Sequence, residues 1–144
     1  MWLVYCLIAS IFWGLDYALT ERVLKHISFP LLISIELLFG FIVMMTLIGF
    51  SKTAHEDIAT ILKSKQLILL IICITLSFAI ANTFIVLSIE AKGATIAGLI
   101  EISYPLFIVF FSWLLFKENT LSIATAIGGG LIFIGVSIIY LFNK

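Results

Sequence analysis

Five apolar runs occupy most of the sequence and restrict it to one kind of fold. A helix needs about 20 mainly apolar residues to cross the hydrocarbon core of a bilayer. Five segments reach that length: residues 2–21, 31–50, 67–89, 94–116 and 121–142. They leave too little chain for a soluble domain, because 63% of the 144 residues are hydrophobic. We therefore predict an all-α, multi-pass protein of the plasma or inner membrane, with five transmembrane helices in one domain spanning residues 1–144.

The charged residues argue against a nucleic-acid partner and give little guidance on orientation. Eight basic and eight acidic side chains cancel, and the basic ones form no patch. Five crossings place Lys52, Lys63, Lys65 and Lys117 on the side of the N-terminus, and Arg22, Lys25, Lys92 and Lys144 on the other. An excess of Lys and Arg on one side normally sets the orientation of a membrane protein. The even distribution found here permits insertion in both directions.

Four polar residues interrupt the apolar runs at one depth. They are Asp16, Glu36, Asn82 and Glu101, each in a different run. With a rise of about 1.5 Å per residue, all four fall about 8–10 Å from the membrane face opposite the N-terminus. Intramembrane acids are costly and normally face a cavity or the interior of a helix bundle. The shared depth predicts a common cavity, and the lack of Lys or Arg in the runs leaves a proton or a cationic ligand as the counter-charge.

Aromatic residues accompany two of these acids. Trp13 precedes Asp16 by three residues and Tyr104 follows Glu101 by three, so each ring shares a helix face with a carboxyl. Pro105 has no N–H for the carbonyl of Glu101, four residues earlier, so the helix is expected to bend there. The predicted substrate and proton site comprises Asp16, Glu101, Trp13, Tyr104, Glu36 and Asn82.

Structural roles compete with these assignments. Glu101 is also consistent with a protonated acid that hydrogen-bonds between helices, and Asn82 with a polar contact of the same kind. Glu36 lies near enough to the membrane surface to extend its carboxylate into water. Trp13 is also consistent with ordinary aromatic packing, which is the commoner role of such a residue. Sequence alone leaves these alternatives open.

The last run and the longest connection carry two further patterns. Gly128 and Gly135 are seven residues apart and share a helix face with Ala124, which predicts close helix packing, either within the chain or between two copies. Residues 51–66 contain a capping-box pattern that begins at Thr53, followed by apolar residues at helical spacing. This connection is either a short helix on the membrane surface or an ordinary polar loop.

Enzymatic chemistry finds no support in the sequence. His26 and His55 both lie in connections, while Cys6 and Cys73 lie in separate apolar runs. No serine–histidine pair or metal-ligand set falls within the runs. We expect no metal, no cofactor and no enzymatic activity.

Three motifs resemble one half of an EamA-like transporter, of the drug/metabolite transporter superfamily. Residues 13–17 (WGLDY) resemble the pattern of its first helix, residues 104–118 (YPLFIVFFSWLLFKE) its fourth helix, and residues 127–136 (IGGGLIFIGV) its closing helix. The resemblance extends through the whole chain. Asp16 stands where that family commonly has Asn, an acid placed much as in the small multidrug resistance branch.

The resemblance implies a transporter. It also implies how a chain with a single five-helix half can form a complete one. EamA-like proteins usually carry two five-helix halves in inverted orientation, and the small multidrug resistance branch forms antiparallel dimers that exchange protons for cationic substrates. We therefore predict proton-coupled export of a small organic solute (an amino acid, a metabolite or a lipophilic cation) by an antiparallel homodimer in the lipid bilayer. The alternative is a non-transporting accessory subunit of a hetero-oligomeric transporter or flippase.

Overall fold

A computed structural model describes residues 1–118 and 122–142, and within these ranges every regular element is a helix. There are seven: α1 (Trp2–Val23), α2 (Phe29–Gly49), α3 (Ala54–Lys63), α4 (Lys65–Lys92), α5 (Ala94–Glu101), α6 (Tyr104–Phe116) and α7 (Ile123–Phe142). Residue 121, where the last span was predicted to begin, lies outside the described residues, as does Lys144.

Five segments are long and apolar enough to cross a membrane, which confirms the predicted all-α membrane protein. Four of them are α1, α2, α4 and α7, and the fifth is Ala94–Phe116, which combines α5 and α6. Few apolar side chains are buried: among the described residues they are Leu32, Val86, Ile89, Ala94 and Ala97. Most of the large apolar side chains are exposed instead, as expected where lipid rather than a protein core covers them.

The chain divides into two compact units. One comprises Met1–Glu21 and Ser88–Lys144, and the other comprises Arg22–Leu87. The first unit, the α1/α5–α7 unit, holds nearly all of α1, the last turn of α4, and the helices α5, α6 and α7. The second, the α2–α4 unit, holds α2, α3 and most of α4.

A single glycine joins α4 to α5. The predicted spans at residues 67–89 and 94–116 leave only residues 90–93 between them, and the structure continues α4 through Lys92, so that only Gly93 separates the two helices. Its N–H donates to the carbonyl of Ile89 at 2.8 Å. Its backbone angles, φ 84° and ψ 158°, belong to a region that residues with a Cβ rarely adopt.

The segment predicted as one span from residue 94 to 116 is broken in two. Helix α5 ends at Glu101, Ile102 and Ser103 form a turn, and α6 begins at Tyr104 with Pro105 in its first turn. Proline suits the first turn of a helix, because its missing N–H has no partner there. The sequence predicted a bend at Pro105, and the structure places a two-residue break directly before the helix that Pro105 opens.

Helix α7 packs within the α1/α5–α7 unit through Gly129, which is next to one of the two glycines singled out by spacing. Gly129 is buried, and a Cβ built on it would lie 2.7 Å from Cδ2 of Leu106 in α6. Around Gly128 and Gly135, a Cβ would meet nothing in the described chain within 4 Å. Ala124 is exposed. Helix α7 also contacts α5.

The connection between α2 and α4 is helical, as one of the two interpretations of residues 51–66 proposed. Thr53 precedes α3, but its backbone is helical (φ −98°, ψ −6°) rather than extended, so its side chain does not cap the helix. Its hydroxyl instead donates to Oδ2 of Asp57 at 2.9 Å. The predicted capping-box bonds are therefore replaced by a side-chain bond one turn into the helix.

The backbone conformation of Gly93, between α4 and α5, can be tested by substitution. Gly93→Ala should lower the free energy of unfolding by about 1–3 kcal/mol, because alanine is strained at this φ and ψ. Gly40→Ala in α2, where a Cβ meets nothing within 4 Å, is the matched control and should be neutral or stabilising. Reversible unfolding in mixed micelles measures both, and equal effects of the two substitutions would contradict the strain.

Candidate functional site

Helices α1 and α5 approach closely where α5 has no side chain. A Cβ built on Gly98 would lie 3.3 Å from Cδ2 of Tyr17, so the tyrosine ring rests directly against the α5 backbone. Tyr17 and Gly98 are both half-buried. Gly98 therefore makes room for a ring that a larger residue would displace.

The hydroxyl at the end of this ring reaches an acid. Tyr17 donates a hydrogen bond to Oε2 of Glu101, which is half-buried and is the last residue of α5. The bond joins residues 84 positions apart in the chain. It places a carboxyl group, with a specific donor, at the break between α5 and α6.

A carboxylate of α1 binds the opposite end of α5. Oε2 of Glu21 accepts a hydrogen bond from the backbone N–H of Ala94 at 2.8 Å. An acid at this position satisfies one of the free N–H groups of the first turn and interacts favourably with the positive end of the helix dipole. Since Tyr17 and Glu21 are four residues apart, they project from one face of α1. Helix α5 is thus bonded to α1 at both of its ends.

The predicted residues of α1 and α6 lie around the Tyr17–Glu101 bond. The rings of Trp13 and Tyr17 pack edge to face, with centroids 5.7 Å apart. Asp16 and Tyr104 both lie within electrostatic range of Tyr17. The structure therefore brings Trp13, Asp16, Glu101 and Tyr104 together in one region of the α1/α5–α7 unit. We refer to these four residues and Tyr17 as the acid–aromatic cluster.

Two of the predicted site residues belong to the other unit. Glu36 lies on α2 and Asn82 on α4, and both are half-buried in the α2–α4 unit. The cavity that was predicted to unite all four polar residues remains a prediction.

The α1/α5–α7 unit also contains an apolar groove of about 490 Å³ between α6 and α7. Its lining comprises Pro105, Leu106, Val109, Thr125, Ala126, Gly128, Gly129 and Ile132. Thr125 is the one residue of this set with a polar side chain, so the groove offers packing surface rather than polar recognition.

Residues 1–118 and 122–142 contain no candidate metal site. No group of three or more His, Cys, Asp or Glu side chains there is arranged to hold an ion. Cys6 and Cys73 are both free and exposed.

Three residues of the site were not among the sequence candidates. The sequence patterns include Tyr17 only as the last residue of the WGLDY motif, and they assign no role to Glu21 or Gly98. The four-residue spacing of Tyr17 and Glu21 is visible in the sequence, as is the three-residue spacing of Gly98 and Glu101. Their partners on the other helix are not.

A helical membrane protein with polar side chains gathered at a broken span has the features of a transporter, in which discontinuous helices line the binding site. The model of the EamA-like transporter family matches residues 1–141. The chain therefore belongs to the EamA-like transporter family, and it is a multi-pass membrane protein of the drug/metabolite transporter type. No curated protein and no solved structure showed a significant match to it.

The Tyr17–Glu101 bond can be measured as a coupling energy. Tyr17→Phe keeps the ring against Gly98 but removes the donor, and should lower the free energy of unfolding by about 0.5–2 kcal/mol, the range for hydrogen bonds between membrane helices. In a Glu101→Ala background the same substitution should cost almost nothing further. Tyr5→Phe, at a tyrosine of α1 that is 64% exposed, is the matched control. An equal loss from Tyr17→Phe in both backgrounds would refute the bond.

Proposed function

We propose that this member of the EamA-like family exports a small organic solute in exchange for protons, using the acid–aromatic cluster. The observation that carries the proposal is the hydrogen bond that Tyr17, the residue after Asp16, donates to Glu101 at the break between α5 and α6. Family membership supports transport of the drug/metabolite type. Proton coupling, direction and the choice of residues belong to the proposal.

The break in the fifth segment supports a role for Glu101 in ion or proton binding. A helix that ends inside a membrane leaves carbonyl groups without intrahelical partners, and its C-terminal end carries partial negative charge. Transporters use such ends to bind cations and protons. Glu101 adds a carboxyl group at this end of α5, and the Tyr17 hydroxyl supplies a donor that a ligand can replace.

The exposure of Asp16 supports a site that a single chain does not complete. Asp16 lies within the span formed by α1, about two turns before its last residue, yet its side chain is exposed in the isolated chain. A carboxyl group facing lipid at that depth is costly, so water, a ligand or another protein chain is the favourable environment. We propose that a second copy covers this surface and encloses a cavity around it.

The assembly that we propose is an antiparallel homodimer. Many transporters consist of two inverted repeats around a site at the membrane midplane, and this chain provides five spans for one such repeat. Gly128, Gly135 and Ala124 supply a flat strip on α7 for the contact. Gly128 lines the groove between α6 and α7, and a Cβ on it or on Gly135 would meet nothing within 4 Å, so the strip has room for a helix of a second copy.

In the proposed mechanism, Asp16 is the main acid and Glu101 is the second. Protons occupy the carboxyl groups until a substrate displaces them, and the rings of Trp13 and Tyr104 contact its apolar parts. Rocking of the two copies then exposes the cavity to opposite faces in turn. Glu36 and Asn82 are proposed as further substrate contacts, and amino acids, metabolites and lipophilic cations remain the candidate substrates.

Removal of the main acid should uncouple transport from protons. Asp16→Asn retains the size and polarity of the side chain but cannot exchange a proton, so transport driven by a pH gradient should be lost. The measurement is flux of amino acids and lipophilic cations in proteoliposomes under an imposed gradient. Asp57→Asn, which changes a carboxyl group of α3 outside the spans, is the control and should retain coupling. Full coupling in Asp16→Asn would overturn the assignment.

The antiparallel dimer predicts two orientations of the same chain. A reporter active only in the cytoplasm and one active only outside it, each fused to the C-terminus, should both give signal in cells. The even distribution of Lys and Arg between the two faces is the physical reason. Signal from one side alone would contradict the antiparallel homodimer and favour the alternative, an accessory subunit that requires a different partner chain.

A further inference from the structure

Helix α3 is confined to a membrane surface by the spans on either side of it. Within the α2–α4 unit, α2 ends at Gly49 and α4 begins at Lys65, and both helices are long and apolar enough to cross the bilayer. The chain therefore leaves and re-enters the membrane on one side. The ten residues of α3 cover about 15 Å, and they lie at that side.

One face of α3 is apolar and only partly covered by the protein. Ile58 and Leu62 are one turn apart and are 51% and 72% exposed. Ala54 and Ile61, on the same face, are half-buried. Glu56 and Thr60 lie on the opposite face, also one turn apart. A short helix with this division is typical of segments that lie in the plane of the membrane interface.

The acidic and basic residues on and around α3 lie at opposite ends of the helix. Its acids, Glu56 and Asp57, lie in the first turn, where they complement the helix dipole, and Asp57 also accepts the bond from Thr53. Its base, Lys63, lies in the last turn, and Lys65 follows at the start of α4. The acids thus stabilise the helix itself, while the lysines at its C-terminal end are exposed.

We propose that α3 is an interfacial helix that binds the anionic lipid of the leaflet it lies on. Ile58 and Leu62 enter the boundary between headgroups and acyl chains, and Lys63 and Lys65 bind lipid phosphates. Apolar burial and attraction to anionic lipid act together in such helices. The bilayer is the occupant of the exposed apolar face because the adjoining spans hold α3 against it. This inference does not depend on the proposed transport activity.

Site-specific quenching in the full-length protein tests this placement. In a Cys6→Ser/Cys73→Ser background, a fluorescent label is attached to one cysteine introduced by Ile58→Cys or Leu62→Cys. Glu56→Cys and Thr60→Cys provide matched controls on the polar face. Each variant is reconstituted in nanodiscs with phosphatidylglycerol or with phosphatidylcholine alone. Lipid-attached nitroxide and aqueous iodide are the two quenchers.

The expected result is that the two quenchers act on opposite faces of α3. Labels at positions 58 and 62 should be quenched mainly by the lipid nitroxide, and labels at 56 and 60 mainly by iodide. Efficient iodide quenching at all four positions would overturn the interfacial placement. Protection of positions 58 and 62 from both quenchers would also overturn it, because protein, either a second copy or another part of the chain, would then cover the face.

The lipid charge is tested separately. With phosphatidylglycerol, Lys63→Gln/Lys65→Gln should reduce nitroxide quenching at position 62 towards its value in phosphatidylcholine. Lys92→Gln, at the other end of α4, is the matched control and should leave that quenching unchanged. Equal quenching in the two lipids, with no effect of the paired lysine substitution, would overturn the assignment to anionic lipid.

Discussion

The absence of water from the bilayer core is the constraint on which this structure depends. Backbone groups that water would otherwise satisfy must bond within the chain, which favours helices for every crossing. The five spans meet this demand over nearly their whole length, and the described chain has few buried apolar side chains because lipid takes the place of a core. Any departure from helix inside a span is therefore costly, and is informative for that reason.

The departure in this chain is the break between α5 and α6, which leaves α5 as a short helix within the fifth apolar segment. Pro105 opens the second helix, where a missing N–H costs little. At the other end of α5, the carboxylate of Glu21 takes up a backbone N–H, and Gly93 adopts the conformation that the abrupt turn from α4 requires. The short helix is thus held on α1 while its final residue, Glu101, carries the acid of the site. The contacts between α1 and α5 therefore hold the short helix in place, and the same two helices carry the acids of the candidate site.

Contacts between the helices of this protein depend on the size of the residues rather than on their hydrophobicity. Lipid tails are as apolar as leucine, so close approach of backbones stabilises contacts between membrane helices. Gly98 admits the Tyr17 ring, and Gly129 admits Leu106. On the face of α7 that carries Gly128 and Gly135, a Cβ on either glycine would meet no atom of another helix of the described chain within 4 Å. Small residues alone therefore identify faces that are able to pack, but not which of them does so within the chain.

The sequence by itself determined the five spans, the family resemblance and the polar positions within the spans, because these depend on local properties. Hydropathy over about 20 residues is read directly against the thickness of a bilayer. Only the tertiary structure decided that Tyr17 bonds Glu101 and that Glu21 binds the start of α5, because these bonds join residues 84 and 73 positions apart. It also decided that Gly129, not Gly128, is the glycine whose missing Cβ makes room for Leu106 of α6. One residue of helix turns a side chain by about 100°, so spacing predicts a face, whereas the partner depends on how the helices are rotated against each other.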